Sequence, residues 1–300
     1  MKFAIIGLGK MGYNLALNAR DKGFSVIAFN RSKEKVDIAK EDGMIPAYTI
    51  EEVISKFESD RKVIWLMLPS GDVTESMLET IIPLLNRNDI IIDGGNSNYK
   101  DSLRRYETLK KAGIDFCDVG TSGGTNGARY GACTMVGAEE EVFSYIEPLI
   151  KAISVENGYL HTGKPGSGHY AKMIHNGIEY GMMASIAEGF EILSKSEFNF
   201  DLEKLARVYN NGSVIRGWLM ELMEDAFKKD ANLSKIQGVM YSNGEGLWTV
   251  EEALRLNVPS FIIANSLFLR YRSLEEDTFS GKVVAALRNE FGGHAVKSKD

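Results

Sequence analysis

Five polar residues, Lys172, His175, Asn176, Glu179 and Tyr180, recur at i, i+3, i+4, i+7 and i+8. On a helix, at about 100° per residue, they fall within an arc of about 140°. Ala171, Ile174, Ile178, Met182 and Ser185 take the other side. One face then carries an amine, an imidazole, an amide, a carboxyl and a phenol, a set able to move protons at a substrate. A solvated face with Lys and Glu paired across it is the ordinary alternative. The aromatic ring and Asn176, a residue type disfavoured in helix interiors, argue for the functional reading.

A second chemical signal lies at the start of the chain. Gly7-Leu8-Gly9-Lys10-Met11-Gly12 follows the apolar run Phe3–Ile6 and opens a helical pattern. In that context G-x-G-x-x-G reads as a dinucleotide cradle: Gly7 permits the tight turn, Gly9 lets the backbone approach a pyrophosphate, and Gly12 lets helix and strand pack closely. The second apolar run ends in Asn30-Arg31-Ser32, where NAD-binding chains carry an acid for the ribose 2′-hydroxyl. No acid is present, and the Arg31 guanidinium could hold a 2′-phosphate, so NADP is expected over NAD. Arg31 stacking on adenine or facing water is the alternative. Two further glycine clusters, Asp93–Ser97 and Gly120–Gly127, also follow apolar runs. At the carboxyl ends of parallel strands such clusters would face a cofactor or an anionic substrate, and as ordinary turns they would do neither.

These groups need elements to position them. Apolar runs at Phe3–Ile6, Val26–Phe29, Val63–Leu68, Ile90–Ile92, Phe116–Val119 and Thr134–Val136 alternate with helical patterns around 10–22, 33–42, 73–84, 99–111 and 139–152. That alternation predicts an α/β, Rossmann-like, doubly wound and mainly parallel sheet. After Gly163–Gly168 strand signals stop, so the chain divides into a nucleotide-binding domain over 1–165 and an all-α domain over 166–300. In the second part a helix is expected to start at Asp201. Another near 218–229 would put Trp218, Leu219, Leu222, Met223, Ala226 and Phe227 on one face, and Thr249 with Glu252 would form a capping box before the next. Val296–Asp300 reads as a solvated tail.

Composition bounds the function classes. Hydrophobic residues make up 44% and charged residues 25%, as in an ordinary folded chain. The net charge of -6, from 35 Lys+Arg against 41 Asp+Glu, disfavours a nucleic acid or an anionic membrane as partner. Two cysteines, Cys117 and Cys133, are too few for a disulfide scaffold, and the four histidines show no metal-ligand spacing. No signal peptide and no run of membrane-spanning length is evident, so a cytoplasmic, metal-free protein is expected.

Taken together, these residues resemble the β-hydroxyacid dehydrogenases and, within them, the short-form branch of the 6-phosphogluconate dehydrogenase (decarboxylating) family. The resemblance covers nearly the whole chain: Gly7–Gly12, Phe29–Ser32, Asp93–Ser97, Ser122–Gly124 with Gly127–Gly131, Lys172–Tyr180, Trp248-Thr249, Phe268–Arg270 and Arg288–His294. The first and fourth of these are shared with relatives such as 3-hydroxyisobutyrate dehydrogenase. The His175–Tyr180 string and the Arg288…His294 spacing are more specific.

The resemblance implies oxidative decarboxylation of 6-phospho-D-gluconate to D-ribulose 5-phosphate and CO2, with reduction of NADP or NAD, in the pentose phosphate pathway. It implies that Lys172 enters neutral as general base on the 3-hydroxyl and then acts as acid while CO2 leaves, that Glu179 protonates C1, and that no metal takes part. Leu68 and Asn96 join Gly7–Gly12 and Asn30–Ser32 on the cofactor. Ser122, Gly123 and Gly124 take the carboxylate, and Asn96, His175 and Asn176 the hydroxyls. Tyr180, Arg270 and Arg288 take the phosphate. Arg288 and His294 reach into a neighbouring subunit, which implies a dimer or a multiple of dimers. Three features depart from the pattern. The long form carries a phosphate-contacting lysine before its tryptophan, and Tyr241–Trp248 has none. The helical part is also smaller, so dimer geometry need not transfer, and short-form relatives often prefer NAD. A dehydrogenase for an unphosphorylated 3-hydroxy acid is the competing reading, opposed by the arginine pair Arg270 and Arg288. A cofactor sensor without turnover is the third, opposed by Lys172 and Glu179 on one face.

Overall fold

Short runs of branched apolar residues, too short for helices and buried on both faces, build the sheet of the first half. In the computed structural model, which describes residues 1–298, the strands are β1 (Lys2–Ile6), β2 (Ser25–Phe29), β3 (Ile45–Ala47), β4 (Val63–Leu66), β5 (Ile90–Asp93), β6 (Asp115–Ser122), β7 (Ala132–Ala138) and β8 (Ser154–Gly163). They form one eight-stranded sheet in the order β3-β2-β1-β4-β5-β6-β7-β8. Every neighbouring pair is parallel except β6–β7. The helices between them are α1 (Lys10–Asp21), α2 (Lys33–Glu41), α3 (Ile50–Ser55), α4 (Asp72–Ile81), α5 (Tyr99–Lys111), α6 (Gly124–Tyr130) and α7 (Glu140–Ile153).

Strand alternation sends Phe3, Ile5, Val63, Trp65, Ile90 and Ile92 to one face, against Leu15, Ala19, Ile146 and Leu149 of α1 and α7. Ala4, Ile6, Ile64, Leu66 and Ile91 face the other way, onto Val53, Leu78, Ile81 and Leu109 of α3, α4 and α5. This is the expected doubly wound, mainly parallel α/β architecture. The order reverses between β1 and β4, where such sheets open a crevice at their carboxyl ends. Apolar runs did not reveal β3, β8, α3 and α6. β8 is a largely exposed edge containing Glu156-Asn157-Gly158, and the others are too short for a periodic pattern.

The chain separates into two compact units, Met1–Asn176 and a second beginning at Gly177. The dividing point falls within the long helix α8 (Ser167–Lys195), which supplies residues to both. The second unit continues with α9 (Leu202–Asn210), α10 (Trp218–Lys229), α11 (Glu245–Arg255), α12 (Phe261–Ser273) and α13 (Phe279–Gly292), with no strand among its described residues. Asp201 caps α9 by accepting the Lys204 backbone N–H. α10 has the expected span, but it buries Met220 and Phe227 against Phe190 and Ala206 while Trp218 and Leu222 stay exposed. The capping box expected at Thr249 and Glu252 is not a helix start. α11 begins a turn earlier, after Gly244 in the left-handed region, and the Thr249 hydroxyl donates to the Glu245 carbonyl within the helix. The terminal residues Lys299 and Asp300 of the expected tail lie outside the described residues.

One buried charge cluster ties the end of β5 to α4 and α5. The fully buried Arg105 donates to Asp93 at 2.6 Å and to the Ser97 hydroxyl at 2.7 Å, and it pairs with Glu75 at 2.7 Å. Asp93 also accepts from the Gly95 N–H and from Ser97, so the cluster shapes the loop that carries Asn96. The neighbouring Arg104 holds the Glu75 carboxyl below the usual carboxylate range. Arg105→Met leaves Asp93 buried without its cation. It is expected to lower stability by about 3–5 kcal/mol, read as a lower urea midpoint; an unchanged midpoint would contradict the role assigned to the cluster.

Candidate active site

The loop after β1 is shaped by three glycines with three different constraints. Gly7 has φ +108°, and a Cβ there would lie 2.4 Å from the Met67 carbonyl oxygen. A Cβ on Gly12 would lie 2.0 Å from the Gly7 carbonyl oxygen, so only glycine lets α1 pack this closely on its own loop. Around a Cβ on Gly9 no atom lies within 4 Å. Gly9 is the N-cap of α1 and offers no side chain to its free N–H groups. An open helix N-terminus with unfilled space beside it fits a dinucleotide pyrophosphate. Lys10 and Met11 form the first turn of this helix.

The loops after β4 and β5 close on the same region. A Cβ on Gly95 would lie 2.6 Å from the Leu68 carbonyl oxygen, and Leu68 itself packs on Gly7. Asn96, in the loop after β5, is exposed. At the end of β2, Asn30 turns inward: its Oδ1 accepts the Leu8 N–H at 3.0 Å and its Nδ2 donates to the Ser32 carbonyl. The Ser32 hydroxyl donates to Glu34. Asn30 therefore braces the glycine loop, and Arg31 is the exposed cation of the trio.

The helical stripe is not a solvated face. Lys172 and Asn176 are each 6% exposed and Tyr180 5%, whereas Ile178 is 53% and Met182 51% exposed. α8 turns its polar side inward and part of its apolar side outward. Within the first unit, Asn176 Oδ1 accepts from Lys172 Nζ and lies 2.9 Å from His175 Nδ1. Because Oδ1 only accepts, Nδ1 carries the proton that points at it; in the neutral ring Nε2 then accepts from the Ser122 hydroxyl, 3.2 Å away. Amine, amide, imidazole and hydroxyl form one hydrogen-bonded chain. Ser122 opens the Ser122-Gly123-Gly124 turn between β6 and α6, where Gly123 and Gly124 both have positive φ.

In the second unit, Tyr180 lies against Gly246, with the Arg270 guanidinium 3.6 Å from its ring centroid. Its hydroxyl donates to Asn243 Oδ1 at 3.1 Å and accepts the Asn243 N–H at 3.3 Å. Arg270 donates to the Tyr241 carbonyl at 2.6 Å. Tyr180 and Arg270 are thus brought together from α8 and α12. Glu179 is half-buried on α8. Arg288 and His294 stand at the end of α13, a helix with no buried residue, and among the described residues no hydrogen bond or ion pair joins them to the Tyr180 cluster. No group of three or more His, Cys, Asp or Glu among the described residues is placed to hold a metal ion. Sequence reasoning missed Asn243 and the fully buried Asp118. An acid inside the apolar strand Phe116–Val119 was the available signal for Asp118.

Comparison with known proteins agrees with these features. Residues 2–163 match the model for the NAD binding domain of 6-phosphogluconate dehydrogenase, and residues 168–300 that for the 6-phosphogluconate dehydrogenase C-terminal domain. The chain is 54% identical over 299 residues to YqeC of Bacillus subtilis, named as a candidate 6-phosphogluconate dehydrogenase, with all of both chains covered. It is 39% identical over 302 residues, again with full coverage of both, to the NAD(+)-dependent, decarboxylating 6-phosphogluconate dehydrogenase of Haloferax volcanii. Among solved structures, the Plasmodium falciparum 6-phosphogluconate dehydrogenase, determined with its cofactor NADP+ and with its substrate 6-phosphogluconate, superposes with a TM-score of 0.83 at 29% identity. That match covers 100% of this chain and 67% of the Plasmodium chain.

Two of the three cradle glycines, Gly9 and Gly12, should respond differently to alanine. Gly12→Ala is expected to destabilise or unfold the chain. Gly9→Ala should change stability by less than about 1 kcal/mol while weakening dinucleotide binding about tenfold or more, measured by calorimetric titration with NADPH and NADH. Tight binding of both nucleotides by Gly9→Ala would show that they do not use this loop.

Proposed function

Because this chain belongs to the 6-phosphogluconate dehydrogenase family, we propose that it oxidises 6-phospho-D-gluconate at C3 and releases CO2 to give D-ribulose 5-phosphate, with reduction of NADP or NAD. The observation that carries this reading is the buried Lys172 amine held by Asn176, within the chain Ser122–His175–Asn176. Lys172 takes the proton of the 3-hydroxyl, and Asn176 and His175 hold the hydroxyl groups in place. A nicotinamide held at the Gly7–Gly12 loop would supply the hydride acceptor for C3. The 3-keto acid so formed loses CO2 as Lys172 returns its proton to the carbonyl oxygen. Glu179 then delivers a proton to C1 of the enediol. Asn96 supports the hydroxyls, Ser122, Gly123 and Gly124 take the carboxylate, and Tyr180 with Arg270 takes the phosphate.

Gly7–Gly12, Leu68, Asn96 and the segment Asn30–Ser32 are assigned to the cofactor. Of that segment, Arg31 is the residue suited to a 2′-phosphate, which favours NADP. Arg288 and His294 are assigned to the site of a second copy in a homodimer or a multiple of dimers. The exposed apolar residues of the second unit support such an assembly: Ile262 and Phe268 line an open groove with Gly181, and Phe279, Leu287 and Phe291 lie bare on α13. Among the described residues no helix is long and apolar enough to cross a membrane. We assign the protein to the cytoplasm and its reaction to the pentose phosphate pathway.

The direct test is formation of reduced nicotinamide with 6-phosphogluconate, run beside a CO2 assay. Equal yields are expected, and reduction without CO2 would refute decarboxylation. Lys172→Ala should lower turnover by about 100- to 10,000-fold while NADPH still binds. Arg31→Ala should lower kcat/KM for NADP by about 10- to 100-fold and leave that for NAD nearly unchanged; a wild-type preference for NAD would overturn the cofactor assignment.

A further inference from the structure

Asp118 lies in β6, with a fully buried side chain, and takes no part in the chemistry proposed above. Its carboxylate reaches out of the strand to the start of α8. Oδ1 accepts the Gly166 N–H at 2.5 Å, and Oδ2 accepts the His169 N–H at 2.7 Å. A carboxylate from another element thus caps the helix that carries Lys172, satisfying donors that a helix start leaves open and meeting its positive end. Burial pushes the Asp118 carboxyl above the usual carboxylate range, against the pull of His169 and of the two backbone bonds.

The surroundings leave little freedom in this joint. A Cβ on Gly137 would lie 2.4 Å from Asp118 Oδ1, and one on Gly168 would lie 2.5 Å from the Asp118 carbonyl oxygen and 2.6 Å from that of Met135. His169, whose backbone Asp118 holds, is also fixed by Ser102, whose hydroxyl lies 2.7 Å from its Nδ1; the same nitrogen lies 3.9 Å from Asp118 Oδ2. The joint continues in steps along both elements. Alternate residues of β6, Asp118, Gly120 and Ser122, meet every third residue of α8, His169, Lys172 and His175. At Gly120 a Cβ would fall 2.3 Å from Lys172 Cβ, so the lysine stem crosses the strand where there is no side chain.

We propose that Asp118 is a positioning residue: by fixing the first turn of α8 on β6, it sets the register at which Lys172 passes Gly120 and His175 meets Ser122. The inference rests on the reading of Lys172 as the reactive amine. Asp118 touches neither the Lys172 amine nor the His175 imidazole and acts through the helix start, at Gly166 and His169.

The test is Asp118→Asn in the full-length protein. Asparagine keeps one acceptor oxygen and sets an amide donor against the other backbone N–H, at nearly unchanged volume. The expected result is a kcat for 6-phosphogluconate about 10- to 100-fold lower, with the dissociation constant of NADPH unchanged within about twofold. A readout independent of turnover is the ring 15N shift of His175, which reports its bond to Ser122 and can be assigned among the four histidines of the chain. It should move in Asp118→Asn. A folded variant in which neither kcat nor the His175 resonance changes overturns the proposal. If the wild-type protein does not turn over 6-phosphogluconate, the functional reading fails, and the His175 resonance alone decides the positioning role. Should Asp118→Asn fail to fold, Ser102→Ala removes the hydroxyl partner of His169 Nδ1 and leaves Asp118 in place. It should lower kcat about threefold to tenfold and move the same resonance, and no change in either would overturn the proposal.

Discussion

A helix that turns its polar side inward needs a wall offering hydrogen-bond partners and little side-chain bulk, since each buried polar group left unpaired costs on the order of 1–3 kcal/mol. α8 is such a helix, and much of this structure meets that demand. In the first unit the wall is the β6–β7 pair, where Asp118 takes two backbone N–H groups and Ser122 meets His175. Gly120, Gly137 and Gly168 keep the surfaces close enough for those bonds to form. In the second unit Gly177 lies under Thr249 and Gly181 under Ile262, and the ring of Tyr180 fits against Gly246. The glycines set the spacing, and the polar groups set the register.

The same sheet serves two tasks because its strands end together. β1, β4 and β5 run parallel, so the loops that follow them emerge at one edge and meet through Gly7, Leu68 and Gly95. The buried Arg105 cluster stiffens the β5 loop from beneath, because one guanidinium ties Asp93, Ser97 and Glu75 together. β6 runs parallel to β5 and carries Ser122 at its carboxyl end.

The Tyr180 cluster shows how a cation can be oriented with no acidic partner among the described residues. The segment Tyr241–Trp248 carries no lysine, and its Asn243 pairs with the Tyr180 hydroxyl and with the buried Glu245. That leaves Arg270, stacked on Tyr180 and bonded to the Tyr241 carbonyl, as the cation of this cluster. A planar guanidinium held on two sides keeps its orientation better than a flexible ammonium, which suits it to phosphate.

Local pattern in the chain determined what local physics controls. Branched apolar runs bounded by turns specified six of the eight strands and the alternation that makes the sheet parallel. The glycine spacing after β1 specified a tight turn into an uncapped helix start, and the helical period grouped Lys172, His175, Asn176, Glu179 and Tyr180. Which way that helix faces was decided by tertiary structure. The stripe could equally have been solvated, and only the room left by Gly120 and the partners offered by Ser122 and Asp118 turn it inward. The bond by which Asn30 braces Leu8 is likewise a product of the fold, as is the place of Thr249, which reads as a cap and lies inside a helix. A side chain's partner across dozens of residues depends on how strands and helices stack, and no window of sequence contains that information.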